Sequence, residues 1–504
     1  MKKIAVIELD VLSVKMTIAS VVKQNSVVIL EQIKEPINFT SDIEDGGIIK
    51  ATKINEFIKI CQSFKSILNS HEVVETVCLA HRKFYDVKNE VSFFEQVYNK
   101  CDLKFSEMTV EEEVNAFYYA VINSIDVSRG VLFVVNTNDT VILNFSKRNI
   151  FEKNIIPFGT LNVLKEAKAE NLSPKETCEK VSTFFTKELE KIEWLKTVDE
   201  DASVIGMENA FLNICKLSRK ITKYPLDIEN NYVLSKEGFN ATYEFIKGLD
   251  LDKSTKIKGI NTDKPELFIS AFGIYSAIYS YLKVNNIIAS KLALSEGQLF
   301  YMANPSLTEK PYPDILGNYL STLNEYFPTM PAQNEHVYNF SIVLYKQLKV
   351  LHKLPRTYVK ALRIASNLYS CGNRVSFYEN NRAAYQVVLH SNILGTSHRD
   401  ILLAAFTLLC FNLDDFNLAE WVKYKSILTE EDIDDVKKLS TLIRLAIALD
   451  RFGKKKINDI TCDLLGDSII IKTQTESNAE LELREGMKLE SDFKKVFKKN
   501  LELL

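Results

Sequence analysis

Three β-rich apolar runs separated by short polar breaks open the chain, and the same pattern returns after residue 129. The first runs are KIAVIEL, SVKMTIASVV and SVVILEQIKEP, and the second are GVLFVVN, TVILNFS and RNIFEKNIIPFG. Runs of this kind separated by short polar breaks predict β-strands joined in a meander. Each triplet is followed by helical spacing, so the sequence predicts two similar βββαβα lobes that face each other across a cleft.

The segments that follow each triplet complete the two lobes. In the first lobe they are helices over about Lys50–Leu68, Ser92–Asn99 and Val110–Ile122 and an apolar run over Glu75–Leu79. In the second lobe they are helices over about Leu161–Ala169 and Pro174–Leu195, strands over Ala202–Gly206 and Ile287–Ala293, and a final helix near Ser295.

The remainder of the chain has a different pattern. Three prolines among polar residues in Asn304–Pro313 predict a linker. Spacing is helical almost throughout 314–452, whereas ITCDLLGDSIIIKT and AELELRE predict strands before a closing helix over Lys488–Lys498. We therefore predict lobes over 1–125 and 126–303, a linker over 304–313, a helical domain over 314–452 and a small α/β domain over 453–504.

Composition is that of an ordinary soluble protein of several domains. The 504 residues are 46 % hydrophobic and 26 % charged with a formal net charge of −3, which argues against disorder and against a polybasic chain. The apolar run Ile4–Ile7 ends at Glu8, too soon for a secretory signal, and Ala271–Leu282 is too short to span a membrane. Eight cysteines without a CxxC pair predict reduced thiols in a cytoplasmic protein.

The spacing of the glycines excludes the usual glycine-rich phosphate-binding loops. Only 16 glycines occur and no two are separated by one residue, so neither a Rossmann fingerprint nor a P-loop can be placed. Any phosphate chemistry must use other groups.

The order of domains resembles that of the exopolyphosphatase and guanosine pentaphosphate phosphatase family (Ppx/GppA), and local strings resemble its motifs. The resemblance implies two actin-like lobes of the sugar kinase, HSP70 and ribonuclease H-like type, with a phosphate site in the cleft, and a helical domain similar to HD phosphohydrolases. It also implies Mg²⁺-dependent release of terminal orthophosphate from polyphosphate or pppGpp, and a homodimer.

Val6–Met16 resembles the family's opening phosphate loop, but several of the motif's residues are replaced. Ser13 and Lys15 fit the motif, whereas Glu8 and Asp10 stand where an Asp and a Gly are expected. A carboxylate at position 10 repels a phosphate oxygen unless Mg²⁺ lies between them. Glu8, Asp10, Ser13 and Lys15 are therefore candidates for contact with phosphate or metal.

The family's catalytic-glutamate helix is matched by Val110–Val121. The resemblance makes Glu112 the candidate general base that activates water, with Glu113 as its neighbour. The alternative is that Glu111–Glu113 only stabilise the start of a helix through its dipole.

The family's D-I-G-G-G-S-T-E motif reads VVNTNDTV here. Val134 replaces the metal-binding Asp, no glycine remains, and Thr140 alone agrees, so Asp139 and Thr140 are the remaining candidates in this segment. Val204–Asn213 also departs from its motif, with Met207, Glu208 and Asn209 in place of small turn residues.

The helical domain keeps one HD-type candidate ligand, His336, while Tyr369 and Ser370 stand where His and Asp are expected. One histidine does not hold a catalytic metal, so we predict a structural role for it. The 43 residues from His336 to Tyr378 contain no Asp or Glu. The basic residues of this region are Lys346, Lys349, Lys353, Arg356, Lys360, Arg363 and Arg374, extended by Arg382 and Arg399. They predict either a polyanion-binding stripe or a solvated helix face.

These observations leave three hypotheses. The loss of both the phosphate loops and the HD ligands favours a catalytically impaired family member that binds polyphosphate, a guanosine tetra- or pentaphosphate, or a protein. The alternative is an active phosphohydrolase in which Glu8, Asp10 and Asp139 hold Mg²⁺ and Glu112 activates water. The third is a dimer platform without ligand. The sequence carries no recognised nucleic-acid motif.

Overall fold

The computed structural model describes residues 2–22, 26–44, 47–147, 149–199, 201–249, 264–304, 313–327 and 331–504. The chain forms two compact units, one of Met1–Tyr224 with Glu229–Ile315 and one of Leu316–Leu504 with Pro225–Ile228. Residues 305–312 of the predicted linker lie outside the described residues. The finer domain boundaries stay a prediction.

The first sheet has five strands in the order β3-β2-β1-β4-β5. Its strands are β1 (Lys2–Asp10), β2 (Ser13–Val21), β3 (Val27–Pro36), β4 (Glu75–Ala80) and β5 (Phe105–Glu107), and its helices are α1 (Thr40–Glu44), α2 (Ala51–Ser70), α3 (Glu90–Cys101) and α4 (Val110–Ile122). β1, β2 and β3 form the predicted antiparallel meander, and β4 pairs parallel with both β1 and β5. The carboxyl ends of β1 and β4 therefore meet at one edge of the sheet, where ligands bind in open α/β folds.

The second sheet repeats this plan with six strands in the order β10-β11-β9-β6-β7-β8. Its strands are β6 (Arg129–Val135), β7 (Thr140–Ser146), β8 (Ile150–Ile156), β9 (Ser203–Met207), β10 (Val233–Ser235) and β11 (Asn286–Ala289), and its helices are α5 (Asn162–Glu166), α6 (Pro174–Glu190), α7 (Glu208–Ile221), α8 (Lys236–Ile246), α9 (Pro265–Tyr281) and α10 (Leu294–Ala303). β6 and β9 are parallel, as β1 and β4 are in the first sheet.

Helices α4 and α10 connect the two sheets through a shared apolar cluster. This cluster contains Val6 of the first sheet, Leu132 of the second, Phe117 of α4 and Leu299 of α10, all buried. A Cβ at Gly297 would lie 1.8 Å from the carbonyl oxygen of Ala116, so only glycine allows the two helices to approach this closely. α10 packs on α4 and β1, although the prediction grouped it with the second lobe.

The second unit is helical before it ends in a small sheet. Its helices are α11 (Ile315–Tyr326), α12 (Pro331–Gln347), α13 (Lys349–His352), α14 (Val359–Leu368), α15 (Asn380–His390), α16 (His398–Leu409), α17 (Leu418–Val422) and α18 (Glu431–Leu449), followed by β12 (Ile457–Leu465), β13 (Ser468–Thr475), α19 (Glu480–Met487), α20 (Glu490–Phe497) and β14 (Asn500–Leu503). β13 pairs antiparallel with β12 and parallel with β14. The predicted helical domain followed by a small α/β domain is confirmed.

The predicted strand over AELELRE is wrong, because this segment forms α19. The alternation of Glu and Leu does not match burial, since Leu481 is 43 % exposed and Glu482 is buried. The Glu482 carboxylate pairs with Lys456 at 3.3 Å. Ala, Glu, Leu and Arg are all strong helix formers, and here that preference outweighs the pattern with period two.

All eight cysteines are free thiols, and seven of them are buried. Within the described part of the chain, no helix has both the length and the apolar character needed to cross a membrane.

Candidate functional site

A cavity of about 790 Å³ lies in the first unit, where the carboxyl ends of β1 and β4 approach the turn after β6 and the first turns of α7 and α9. Its volume is in the range of small-molecule sites. The ionisable side chains that line it are Glu8, Asp10, Glu56, Glu113, Glu208, Lys15, Lys34, Lys53, His81, Arg82 and Lys264. Five carboxylates thus face five Lys or Arg side chains and one imidazole, so the cavity is close to charge balance.

Glu112 and Glu113 point in different directions from the first turn of α4. Glu112 is exposed and closes a capping box, in which the N–H and the hydroxyl of Thr109 both donate to its Oε2, at 2.9 and 2.8 Å. Glu113 is buried and lines the cavity. Glu112, the predicted base, is therefore occupied in starting the helix, and Glu113 is the carboxyl that faces the site.

Arg82 holds Glu113 and a second carboxylate from the other lobe. Its Nη2 donates to Glu113 Oε2 at 3.1 Å and to Asp139 Oδ2 at 2.7 Å. Arg82 lies in the turn after β4, and Asp139 lies in the turn between β6 and β7. The guanidinium thus joins the carboxyl ends of the two sheets.

His81 and Asn136 complete the surroundings of Asp139. The His81 Nε2 lies 3.6 Å from Asp139 Oδ2, and the Asn136 side chain donates to Asp139 Oδ1 at 2.9 Å. Burial alone would lower the pKa of His81, but the adjacent carboxylates of Asp139 and Asp10 raise it. Burial would raise the pKa of Asp139, yet His81, Asn136 and Arg82 together lower it, so Asp139 is ionised.

The net shift in pKa at Glu113 is opposite to that at Asp139. The loss of water, with the neighbouring Asp139 charge, raises the pKa of Glu113 to about 7, although Arg82 and His81 favour its ionised form. A carboxyl with a pKa near neutrality can both hold and release a proton under ordinary conditions. Of the carboxyls that line the cavity, Glu113 is the one that both has a raised pKa and contacts Arg82.

The residues predicted from the opening loop do line the cavity, but protein groups already engage the two carboxylates. Glu8 Oε2 accepts a hydrogen bond from Ser295 at 2.8 Å, and Asp10 Oδ2 accepts one from Thr137 at 3.1 Å. Lys15 Nζ lies 4.0 Å from Glu8 Oε2 and 3.8 Å from a Glu296 carboxylate oxygen. Ser13 lines the cavity without such a contact to a carboxylate.

Glu208 stands at a strained position at the start of α7. Its φ of +69° lies in the left-handed region, which costs free energy for any residue with a Cβ. Burial and the charge of Glu8 raise the pKa of Glu208, while Lys15 and Lys34 oppose that shift. A second carboxyl with a raised pKa therefore lines the same cavity.

In the second unit, the candidate metal ligand His336 contacts a single carboxylate. His336 Nδ1 lies 2.9 Å from the buried Asp450 carboxylate. No group of three or more His, Cys, Asp or Glu side chains suited to a metal ion occurs in the described ranges of either unit. The geometry agrees with a structural role for His336.

Some side chains of the predicted basic stripe are exposed, and others form contacts within the second unit. Lys346, Lys349, Lys353 and Arg356 are exposed, and none forms an ion pair with a described carboxylate. Arg382 is also exposed. The helical segment is interrupted at Leu348, the residue between α12 and α13, and Lys353, which follows α13, adopts a left-handed φ of 58°. The first three lysines therefore do not lie along one continuous helix.

The remaining basic side chains contact their own unit. Lys360 donates to the Gly395 carbonyl at 3.0 Å, and the Arg363 guanidinium lies 5.4 Å from the centre of the Tyr338 ring. Arg399 pairs with the buried Asp432 at 2.5 Å. The exposed basic side chains of the predicted stripe are therefore Lys346, Lys349, Lys353, Arg356, Arg374 and Arg382.

Comparison with known proteins identifies the family. A model of the Ppx/GppA phosphatase family matches residues 17–305, more than half of the chain. The chain belongs to the Ppx/GppA phosphatase family. A model of domain III of this family matches residues 320–494. The predicted fold class, two actin-like lobes followed by a helical domain and a small α/β tail, is therefore confirmed.

Solved structures support the same fold. A Ppx/GppA family member from Aquifex aeolicus is 19 % identical, with a TM-score of 0.53 over 60 % of this chain and 98 % of its own. An exopolyphosphatase from Cytophaga hutchinsonii is 14 % identical, with a TM-score of 0.55 over 61 % of this chain and 100 % of its own. A search of curated protein sequences finds no significant match. At these identities the likeness concerns the fold.

The Mg²⁺ that the Ppx/GppA family implies does not fit the residues present. Val134, which replaces the expected Asp, is fully buried among apolar side chains. Arg82 already occupies the space between Glu113 and Asp139, and Asp10 and Glu8 accept hydrogen bonds from Thr137 and Ser295. Thr140, the remaining candidate of that motif, is buried and donates to the Phe158 carbonyl.

Sequence reasoning missed His81 and Arg82 as members of this Ppx/GppA site. They directly follow β4, and β4 is parallel to β1. Since residues at the carboxyl ends of parallel strands meet at one edge, a His-Arg pair at that position was the available signal. It carries no sequence motif of its own.

Proposed function

We propose that this Ppx/GppA family protein binds a phosphorylated polyanion in the cleft of its first unit and hydrolyses it slowly or not at all. The ligand class is polyphosphate or a guanosine tetra- or pentaphosphate. Support for binding comes from Lys15, Lys34, Lys264 and Arg82, which line one cavity large enough for such a ligand.

The observation that carries the impairment is the Arg82 bridge between Glu113 and Asp139. Phosphoryl transfer depends on groups that neutralise the charge of the transferring phosphoryl and position it. In this cleft the carboxylates that would gather a divalent cation are engaged by protein donors, and Val134 supplies none. The cavity that would bind the ligand is retained, whereas free carboxylates to hold a divalent cation beside the phosphoryl group are not.

Calorimetric titration and phosphate release test the proposal together. The wild-type chain is titrated with inorganic tripolyphosphate, long-chain polyphosphate and pppGpp, and the same samples are assayed for orthophosphate in the presence of Mg²⁺. We expect binding heat with at least one ligand and no orthophosphate above the protein-free rate. The absence of heat with all three ligands would refute the binding proposal.

Hydrolysis is the second candidate function, and the raised pKa of Glu113 favours it. A base with a pKa near 7 is well matched to neutral solution. If orthophosphate is released, Glu113→Gln should abolish release, whereas Glu112→Gln should leave it intact because Glu112 caps α4. Equal loss in both variants would remove the assignment of Glu113.

We also propose that the exposed basic residues of the second unit bind polyphosphate. The double variant Lys346→Glu/Lys349→Glu should weaken polyphosphate binding and reduce its dependence on salt. Lys494→Glu/Lys495→Glu makes the same charge change at exposed positions of α20 and is the matched control. Equal weakening in both variants would show only the effect of net charge.

A further inference from the structure

Arg82 has more hydrogen-bonding capacity than its two carboxylate partners use. Both of its described hydrogen bonds come from Nη2, and its side chain is 27 % exposed and lines the cavity. A guanidinium carries five N–H donors in a planar fork. Three of them, on Nη1 and Nε, have no partner among the described residues.

We propose that Arg82 acts in this cleft as a built-in cation in place of the divalent ion, and that it binds a phosphate group of the ligand directly without metal. This inference rests on the proposed binding function and specifies how the cleft grips its ligand. A bridging metal ion holds protein carboxylates on one side and phosphate oxygens on the other. Arg82 offers a similar arrangement, since its Nη2 is held by Glu113 and Asp139 while the residue lines the cavity and its Nη1 and Nε keep their donors.

The surroundings fix the guanidinium in this orientation. Its partners come from two different lobes, Glu113 from α4 and Asp139 from the turn after β6, so side-chain rotation is restricted from both sides. His81, the preceding residue, lies 3.6 Å from the same Asp139 oxygen and adds a second titratable base. A guanidinium held in advance binds phosphate with less loss of conformational entropy than a free one.

The ligand class that fits is an inorganic or nucleotide polyphosphate with adjacent non-bridging oxygens. The planar fork matches two such oxygens. Lys15 of β2 is another cation that lines the cavity, but its ammonium is shared between Glu8 and Glu296. Arg82 is therefore better placed than Lys15 to make the first contact with phosphate.

Titration with and without metal tests the inference. Tripolyphosphate is titrated into the wild-type chain in EDTA and in Mg²⁺, and then into Arg82→Gln, Arg82→Lys and the neighbouring control Lys83→Ala in EDTA. We expect wild-type binding in EDTA, a loss of about tenfold or more in Arg82→Gln, a smaller loss in Arg82→Lys, and no change in Lys83→Ala.

The other outcomes of this titration distinguish failure of the Arg82 inference from failure of the proposed function. Binding that requires Mg²⁺ would overturn the inference and leave the proposed function intact, and so would metal-free binding that Arg82→Gln does not weaken. No binding under either condition would refute the proposed function itself. Circular dichroism of each variant checks that it is folded.

A measurement without anion gives an independent readout. Removal of the guanidinium in Arg82→Gln leaves the Glu113 and Asp139 carboxyls without a cation between them, which is the setting that a divalent ion prefers. We expect Mn²⁺ to raise the melting temperature of Arg82→Gln and not that of the wild type. An equal rise in both would contradict the replacement of metal by Arg82.

Discussion

Glu113→Gln should stabilise the first unit increasingly as the pH rises. The folded chain raises the pKa of Glu113 from its usual 4.5 to about 7. Between these values the folded state holds a proton that the unfolded state has released, so the wild type loses stability as pH increases. Each pKa unit corresponds to about 1.4 kcal/mol, so the loss reaches at most about 3 kcal/mol above pH 7. Glutamine stays neutral and does not incur it.

The two tryptophans allow the first unit to be followed alone. Trp194 lies in the first unit and Trp421 in the second. In a Trp421→Phe background, urea unfolding monitored by fluorescence reports on the surroundings of Trp194. The free energy of unfolding is measured from pH 5 to pH 8 for the background chain, Glu113→Gln and the control Glu111→Gln, which removes the same charge at an exposed site in the same helical turn.

The expected result is a difference between Glu113→Gln and its background that grows by up to about 3 kcal/mol across this range, with little change for Glu111→Gln. A difference that stays constant, or that shrinks as the pH rises, would refute the reasoning. It would mean that Arg82 and His81 compensate fully for the burial of the Glu113 carboxylate.

Three further substitutions test single contacts in the first unit. Glu208→Gly should raise its free energy of unfolding by about 1–2 kcal/mol in the same assay, because glycine accepts a positive φ without strain and removes a half-buried carboxyl. Gly297→Ala should lower it by about 1–3 kcal/mol, since the new Cβ meets the Ala116 carbonyl, whereas Gly248→Ala, with its nearest atom 3.7 Å away, should have a small effect. Glu112→Ala should cost about 1 kcal/mol through the lost capping box and leave tripolyphosphate affinity unchanged.

Patterns that depend on local burial allowed much of the fold to be predicted. The central strands of the two meanders are continuous apolar runs because both faces of each sheet are packed, and such runs can be recognised in the sequence. Helix α4 was predicted with the bounds that the structure has, Val110–Ile122. AELELRE failed because its apparent alternation came from helix-forming residues, with the carboxylate of Glu482 buried by an ion pair to Lys456. Such a pair depends on a distant residue and leaves no local signal.

The site could be predicted only in part for the same physical reason. The acidic first turn of α4 was visible in sequence, but which glutamate caps the helix and which faces the cavity depends on side-chain direction. Thr109 three residues before Glu112 forms a capping-box pattern, and that pattern assigns Glu112 to the cap. Arg82 and Asp139 are 57 residues apart, and their turns meet because the two sheets pack together through the apolar cluster that α4 and α10 share.

The three residues Glu113, Arg82 and Asp139 form one electrostatic unit and must be considered together. Two carboxyls this close inside a cavity repel each other, so either one stays protonated or a cation lies between them. Arg82 opposes the rise in the pKa of Glu113 without cancelling the effect of burial, whereas His81, Asn136 and then Arg82 lower the pKa of Asp139. A chain without Arg82 would need a divalent ion or the loss of one carboxylate at this place. We therefore expect the side chain at position 82 to determine whether this cleft depends on metal.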